Sequence, residues 1–341
     1  MTADLYRPAP WNEAAWLSQM TAWVGAQLAF GGQRVTEPLE AVRVSPWSAV
    51  WRVPVSTGVL WLKACAPTMR HELALLTLLE RVRPDIVPPI LAVEPQRGLI
   101  LMGDGGDLLR PRTRGVREIE HWMHIFPRYA QLQQEIAPYA GDLLAAAVLD
   151  RRPVALPALY DALLADEPAL AIGAAHGLTP AQYAQARALS PTFAARCAQV
   201  DALGIPATID HSDFHDANIL LDGSTYRFID WGDACVSHPF LTLPVALRSI
   251  AYGLGLAAGD PLLAELRDLY LSQWCDYGTL GELRAVFGVA TRLAMINRAL
   301  TWRLALATLP PGAAGEYADA VPGWLQEFLA AEQGAESGRD A

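Results

Sequence analysis

The strongest constraint on this fold is the run His211-Ser212-Asp213-Phe214-His215-Asp216-Ala217-Asn218, followed by Ile219-Leu220-Leu221 and then Phe228-Ile229-Asp230-Trp231. Its two apolar stretches flank Asp222-Gly223-Ser224, a turn by composition. If that turn closes a hairpin, Asn218 and Asp230 return to the same end of it. Asp213 can accept a hydrogen bond from an alcohol and draw it in line with a phosphate. Asn218 offers a neutral oxygen ligand and Asp230 an anionic one, the hard donors that magnesium prefers. Phosphoryl transfer demands positioning and charge neutralisation more than covalent chemistry. A bimetallic hydrolase would need more convergent carboxylates or histidines than this strip provides. His211 reads as a loop organiser acting through backbone hydrogen bonds. His215 and Asp216 either touch an acceptor or lock the loop.

Upstream, residues 11–30 read as a helix with Trp16, Met20, Trp23 and Leu28 near one side. Strand patterns follow at 42–44, 49–53 and 59–64, broken by turns at 45–48 and at Thr57-Gly58. A helix is expected over 67–83, with two more strands at 90–93 and 98–102. That order predicts a small antiparallel sheet carrying one helix. Gly103 to Gly106 interrupts the pattern, and helices dominate afterwards: 121–135, 156–164, 179–197 with a bend or break at Pro191, 240–257, 261–275 and 280–309. The predicted architecture is α+β and two-lobed. An N-terminal lobe with a leading helix covers 1–103, a larger helical lobe covers 104–330, and a polar tail at 331–341 is expected to fray.

Lys63 lies between Leu62 and Ala64 in an apolar strand pattern. It is either an edge charge or a phosphate ligand, and Glu72 on the next helix favours the second. An ion pair between them would hold the ammonium over the phosphates. There is no GxGxxG and no Walker A motif. The turn between the first two strands carries Ser45 and Ser48, whose hydroxyls and neighbouring N–H groups could contact phosphate. Trp47 there is a lid or lobe packing. Backbone groups around Met102, from Leu101 to Gly103, could read an adenine edge.

Composition narrows the alternatives. The 26 basic and 36 acidic residues give a formal charge of −10, against a whole-surface nucleic-acid or anionic-membrane binder. The four cysteines contain no CxxC pair, so neither a thiolate zinc site nor a redox pair is expected, and reduced, mostly buried thiols are. Residues 1–11 hold no apolar signal core, and no charge-free apolar run reaches spanning length. The expected location is cytoplasmic, with no membrane partner. Oligomeric state has no signature in the sequence.

From about residue 42 to residue 309 the chain resembles the aminoglycoside phosphotransferase and choline kinase family, whose fold is similar to that of protein kinases. The motifs specific to that family lie at 211–231. The resemblance implies that Asp213 is the catalytic aspartate, that Asn218 and Asp230 bind Mg2+, and that Lys63 and Glu72 form the strand–helix pair of the nucleotide lobe. It implies transfer of the γ-phosphate of ATP or GTP to a hydroxyl of a small-molecule acceptor. Two positions depart from the family pattern: Ser212 stands where glycine is usual, and Asp216 where proline or tryptophan is common. The alternative is a kinase-like nucleotide-binding protein with little or no turnover. A protein kinase fits poorly without a glycine-rich loop, DFG or APE. On the acceptor side no compact acidic constellation marks an aminoglycoside site. Trp274 and Tyr277 could form part of a cationic cage or of a core. Arg298 and Arg303 could favour an anionic acceptor or cap packed helices. A metabolic alcohol or sugar is favoured over an antibiotic.

Overall fold

A period of two shapes the first sheet. Ala49, Trp51, Val53 and Val55 on one strand and Leu60, Leu62 and Ala64 on the next are buried, as pleated strands with one face on a core require. In the computed structural model, which describes residues 10–29, 31–113, 117–257, 259–310 and 312–337, these lie in a five-stranded antiparallel sheet. Its strands are β1 (Glu40–Val44), β2 (Ser48–Val55), β3 (Gly58–Cys65), β4 (Ile90–Glu94) and β5 (Leu99–Met102), in the order β1-β2-β3-β5-β4. The β2–β3 hairpin turns at Ser56-Thr57, and Gly58 pairs with Val55 as the first strand residue, one position earlier than composition suggested. Helix α1 (Ala14–Ala29) buries Met20, Val24 and Leu28, spaced four apart, against this sheet. Phe30, expected as its last residue, lies outside the described residues. Trp16 and Trp51 meet at 4.9 Å between ring centroids. Helix α2 (His71–Val82), after a short 3-10 turn, buries Leu73, Leu75, Leu76 and Leu79.

The described chain divides into two units. The first is Met1–Leu109 together with Asn218–Gly232 and Leu304–Ala314. It therefore takes in the hairpin of strands Ile219–Asp222 and Thr225–Phe228, which a linear cut at 103/104 assigns elsewhere. The reason is a third short strand, Asp107–Leu108, which pairs with Ile219–Asp222. Gly106, just before it, is required by close approach. A Cβ on Gly106 would lie 2.6 Å from the Leu221 carbonyl oxygen, and the residue sits at φ +109°.

The second unit is larger and mainly helical: Arg110–Ala217, Asp233–Arg303 and Gly315–Ala341. Helix α3 (Arg117–Ile136) carries Pro127 in its interior and buries Trp122, Phe126 and Tyr129. The stretch expected at 179–197 is two helices, Pro180–Ala188 and Ser190–Asp201, divided just before Pro191. A three-stranded sheet places Cys235–Ser237 between Leu149–Asp150 and Thr208–Asp210. Neither Leu149–Asp150 nor Cys235–Ser237 was anticipated, because two or three residues carry no readable periodicity. Helices α4 (Leu280–Leu306) and α5 (Ala320–Ser337) close the sequence. α5 runs into the 331–341 segment expected to fray, of which 338–341 lie outside the described residues. The arrangement is α+β, an antiparallel-sheet unit and a larger helical one. Among the described residues no helix is long and apolar enough to cross a membrane.

Candidate functional site

In the first unit, Lys63 points from β3 to a pair of carboxylates. Its Nζ donates to Glu72 Oε1 at 2.6 Å and to Asp230 Oδ1 at 2.7 Å. The Lys63 and Glu72 side chains are 6% and 1% exposed, and Asp230 is 33% exposed. Burial works against the ammonium, yet the charges of Asp230 and Glu72 outweigh it and hold the Lys63 pKa well above its ordinary value. Lys63 is therefore a fixed cation and not a strand-edge charge. Glu72 is held by two further donors, the Trp231 backbone N–H at 3.1 Å and the Cys65 thiol at 3.3 Å. Burial and the Glu72 charge push the Cys65 thiol well up, so it stays a neutral donor.

The turn after Asp222 does close a hairpin, with Thr225 opposite Asp222 and Phe228 opposite Ile219. The Ile229 N–H donates to the Asn218 carbonyl at 2.9 Å, so Asn218 and Asp230 stand at the same end. Asp230 adopts φ +61°, a left-handed conformation that aspartate tolerates better than most residues. Arg43 on β1 reaches its other oxygen, Oδ2, at 3.2 Å. The donor set, one amide and one partly exposed carboxylate, fits magnesium, which keeps waters and takes ligands from substrate phosphates. Among the described residues no group of three or more His, Cys, Asp or Glu side chains is arranged to hold a metal on its own.

The turn expected to meet phosphate is engaged with itself. Ser45 Oγ donates to the Ser48 carbonyl at 2.8 Å and accepts from the Ser48 N–H at 3.1 Å. The Trp47 carbonyl accepts from the Ala66 N–H. Ser45 thus shapes the turn, and Ser48 is buried beside it. Met102 ends β5, paired opposite Trp61 and Ile90. The Gly103 N–H is taken by the Pro89 carbonyl at 2.7 Å.

In the second unit, Asp213 follows the strand Thr208–Asp210. Its Oδ2 lies 3.2 Å from His215 Nε2 and its Oδ1 3.3 Å from Arg298 Nη2. Burial tends to raise the Asp213 pKa. The hydrogen bond from His215 and the charges of Arg298, His215 and His211 dominate and hold the carboxyl well below the usual carboxylate range. A carboxylate so firmly ionised suits orienting a hydroxyl better than fully removing its proton early. Ser212, at φ +61°, is held by the buried Asp210, which accepts from its N–H at 2.9 Å and its Oγ at 3.0 Å. The His211 N–H donates to Tyr129 Oη at 3.0 Å, and the Phe214 ring lies 4.1 Å from that of Tyr129. Asp216, the other departure from the family pattern, accepts from Arg110 Nε and Nη2 at 2.9 and 2.7 Å. These contacts tie the loop to Arg110.

Several contributors escaped sequence reasoning. Arg43, Cys65 and Asp233 carry no motif signal. Arg298, expected as an anion ligand or a helix cap, and Asn297 beside it instead contact a loop more than 80 residues away in sequence. Trp274 is fully buried and belongs to a core, not to a cage. Arg303 pairs with Asp166 at 2.6 Å.

The profile of the phosphotransferase enzyme family matches residues 62–286. No curated protein matches the sequence. Among solved structures, a choline kinase from Cryptosporidium parvum Iowa II superposes with a TM-score of 0.59 at 12% identity, covering 88% of this chain and 90% of that one. A choline/ethanolamine kinase family protein from Mesorhizobium loti gives 0.57 at 17% identity, covering 92% and 94%. A macrolide 2'-phosphotransferase from Brachybacterium faecium gives 0.53 at 15% identity, covering 88% and 97%. These likenesses share the two-lobed kinase-like fold. With about two thirds of its length matched by the family profile, the chain belongs to the phosphotransferase enzyme family of aminoglycoside phosphotransferases and choline kinases.

Proposed function

We propose that this protein is a magnesium-dependent small-molecule kinase, transferring the γ-phosphate of ATP or GTP to an alcohol hydroxyl. The observation that carries the reading is the Lys63 ammonium, buried and shared between Glu72 and Asp230. A fixed cation beside a partly exposed carboxylate and an amide oxygen is what a nucleotide triphosphate and its metal need. Asn218 and Asp230 would hold Mg2+, which supplies neutralisation of phosphate charge. Lys63 binds and orients phosphate oxygens, and Glu72 fixes Lys63. Asp213 accepts the acceptor's hydroxyl proton as that oxygen bonds to the γ-phosphorus and the bond to the nucleoside diphosphate breaks. The choline, ethanolamine and macrolide in the names of similar proteins support a small hydroxyl compound as acceptor. The helical unit that follows Asp213 would recognise it, and a metabolic alcohol or sugar is favoured. The reading puts the protein in the cytoplasm, where the nucleotide donor is available.

The test is a panel of amino alcohols, sugars, nucleosides and aminoglycosides, scored by acceptor-dependent ADP or GDP release, with the product identified by mass. Asp213→Asn should keep nucleotide affinity and lower turnover by at least about 100-fold, the scale of a lost general base. Near-normal turnover by a pure Asp213→Asn protein refutes the role of Asp213. Nucleotide binding with no release across the panel would favour a nucleotide-binding protein without turnover.

A further inference from the structure

Arg298 lies on α4, beyond the 62–286 stretch that the family profile matches. Its side chain is 9% exposed and sits between two carboxylates. Nη1 donates to the Ser212 carbonyl at 2.9 Å and to Asp233 Oδ2 at 2.8 Å, while Nη2 faces Asp213 Oδ1 at 3.3 Å. The Trp324 ring of α5 lies 6.0 Å from its Cζ. The preceding residue, Asn297, donates from Nδ2 to Ser212 Oγ at 3.0 Å and to Asp210 Oδ2 at 3.1 Å. Two successive residues of one helix thus grip the turn that presents Asp213.

We propose that Arg298 is a positioning residue for Asp213, with Asn297 steadying the Ser212 turn from which Asp213 projects. The inference rests on the reading of Asp213 as the group that receives the acceptor hydroxyl. Each Asp213 oxygen has its own cationic or hydrogen-bonding neighbour, Arg298 on Oδ1 and His215 on Oδ2. Rotation of the carboxylate breaks both contacts. Asp233 anchors the guanidinium from the far side, so Arg298 does not swing with Asp213. The left-handed backbone at Ser212 is unfavourable for a residue that carries a side chain. Asp210 and Asn297 supply the hydrogen bonds that retain it. The charged groups facing Asp213 are His211 and His215 from its own loop and Arg298 from α4, with Asp233 and Asp210 behind the arginine. A lysine at 298 would keep the charge but not the fork that spans both carboxylates and the carbonyl.

The experiment uses the full chain with the most active acceptor of the panel, comparing Arg298→Gln, Arg298→Lys and Asp213→Asn. Folding is followed by circular dichroism, and affinity by magnesium–ATP titration. Arg298→Gln should lower kcat by about 100-fold, the effect of a misplaced catalytic group, with nucleotide affinity within about twofold of wild type, inside the context spread expected for an untouched site. Its acid limb of kcat should rise by at least about one pH unit. Arg298→Lys should lose kcat while keeping the acid limb. A folded Arg298→Gln protein with wild-type kcat, or with affinity and kcat falling together, overturns the proposal. Should Arg298→Gln not fold, Asp233→Asn decides: reduced kcat at unchanged affinity supports the proposal, and unchanged kcat overturns it. Retained turnover in Asp213→Asn refutes the reading of Asp213 itself and this inference with it. Loss in Asp213→Asn alone leaves that reading intact and overturns only the role of Arg298.

Discussion

Replacing Lys63 and Glu72 singly and together should reveal a strongly coupled, unequal pair. Glu72 is 1% exposed, and Lys63 is its only cationic partner in the array described above. Lys63→Met leaves that carboxylate buried beside a thiol and a backbone N–H, with no counter-charge. Breaking a buried pair in this way costs about 3–5 kcal/mol. Glu72→Gln is milder. Lys63 keeps Asp230 at 2.7 Å, and an amide oxygen can still accept from the Trp231 N–H, so the loss should be about 1.5–3 kcal/mol. The double variant leaves no buried carboxylate uncompensated and should fall short of the sum by about 0.5–3 kcal/mol. Urea unfolding, followed by tryptophan fluorescence and far-ultraviolet circular dichroism, gives each value from the midpoint and slope. Additivity within about 0.5 kcal/mol, or a larger loss in Glu72→Gln than in Lys63→Met, would refute the reasoning. The pH dependence has a defined sign. The folded Lys63 pKa lies above its ordinary 10.5, so the unfolded chain gives up this proton first. The contribution is complete below pH 10.5 and declines as pH rises through the folded value.

Asp230→Ala should weaken magnesium-dependent nucleotide binding more than Asn218→Ala, because an anion attracts a hard cation more strongly than an amide dipole. Titrations with and without magnesium check this, and unchanged magnesium dependence in Asp230→Ala counts against the assignment. Burial pushes His238 down to about 3, and its Nδ1 accepts from the Phe240 N–H. Stability should therefore drop as pH falls from about 6.5 toward 3, since the unfolded chain binds a proton that the folded one refuses. His238→Gln keeps an acceptor there and should flatten that segment by up to about 1.4 kcal/mol per pH unit. Urea midpoints at several acid pH values decide it, with an undiminished slope as the refuting result.

The sequence disclosed the elements whose signal is local. Strands β1 to β5, α1, α2 and the Asp222-Gly223 hairpin each rest on periodicity or a turn residue, and the structure places them within a few residues of expectation. Lys63 and Glu72 were legible because a charge in an apolar strand and one on the next helix stand out against their surroundings. What stayed hidden depends on long-range packing. Arg43 reaches Asp230, and α4 holds the 211–213 turn, across separations that no local pattern records. The Ser45–Ser48 turn was located correctly, but the Ser45 hydroxyl is taken up within it by Ser48, a detail that composition does not carry.

The hairpin that follows Asn218 belongs with the sheet unit, although its chain lies far downstream of it. Lys63, Glu72, Asn218 and Asp230 are thus held in one folding body, and Asp213, Asn297 and Arg298 in the other. Inheritance can act on these two sets separately. On the proposed function, substitutions that remodel helices of the second body would alter which hydroxyl compound is accepted while leaving Lys63, Glu72, Asn218 and Asp230 in place. Such a division would let the body proposed to handle phosphate persist while the acceptor range changes.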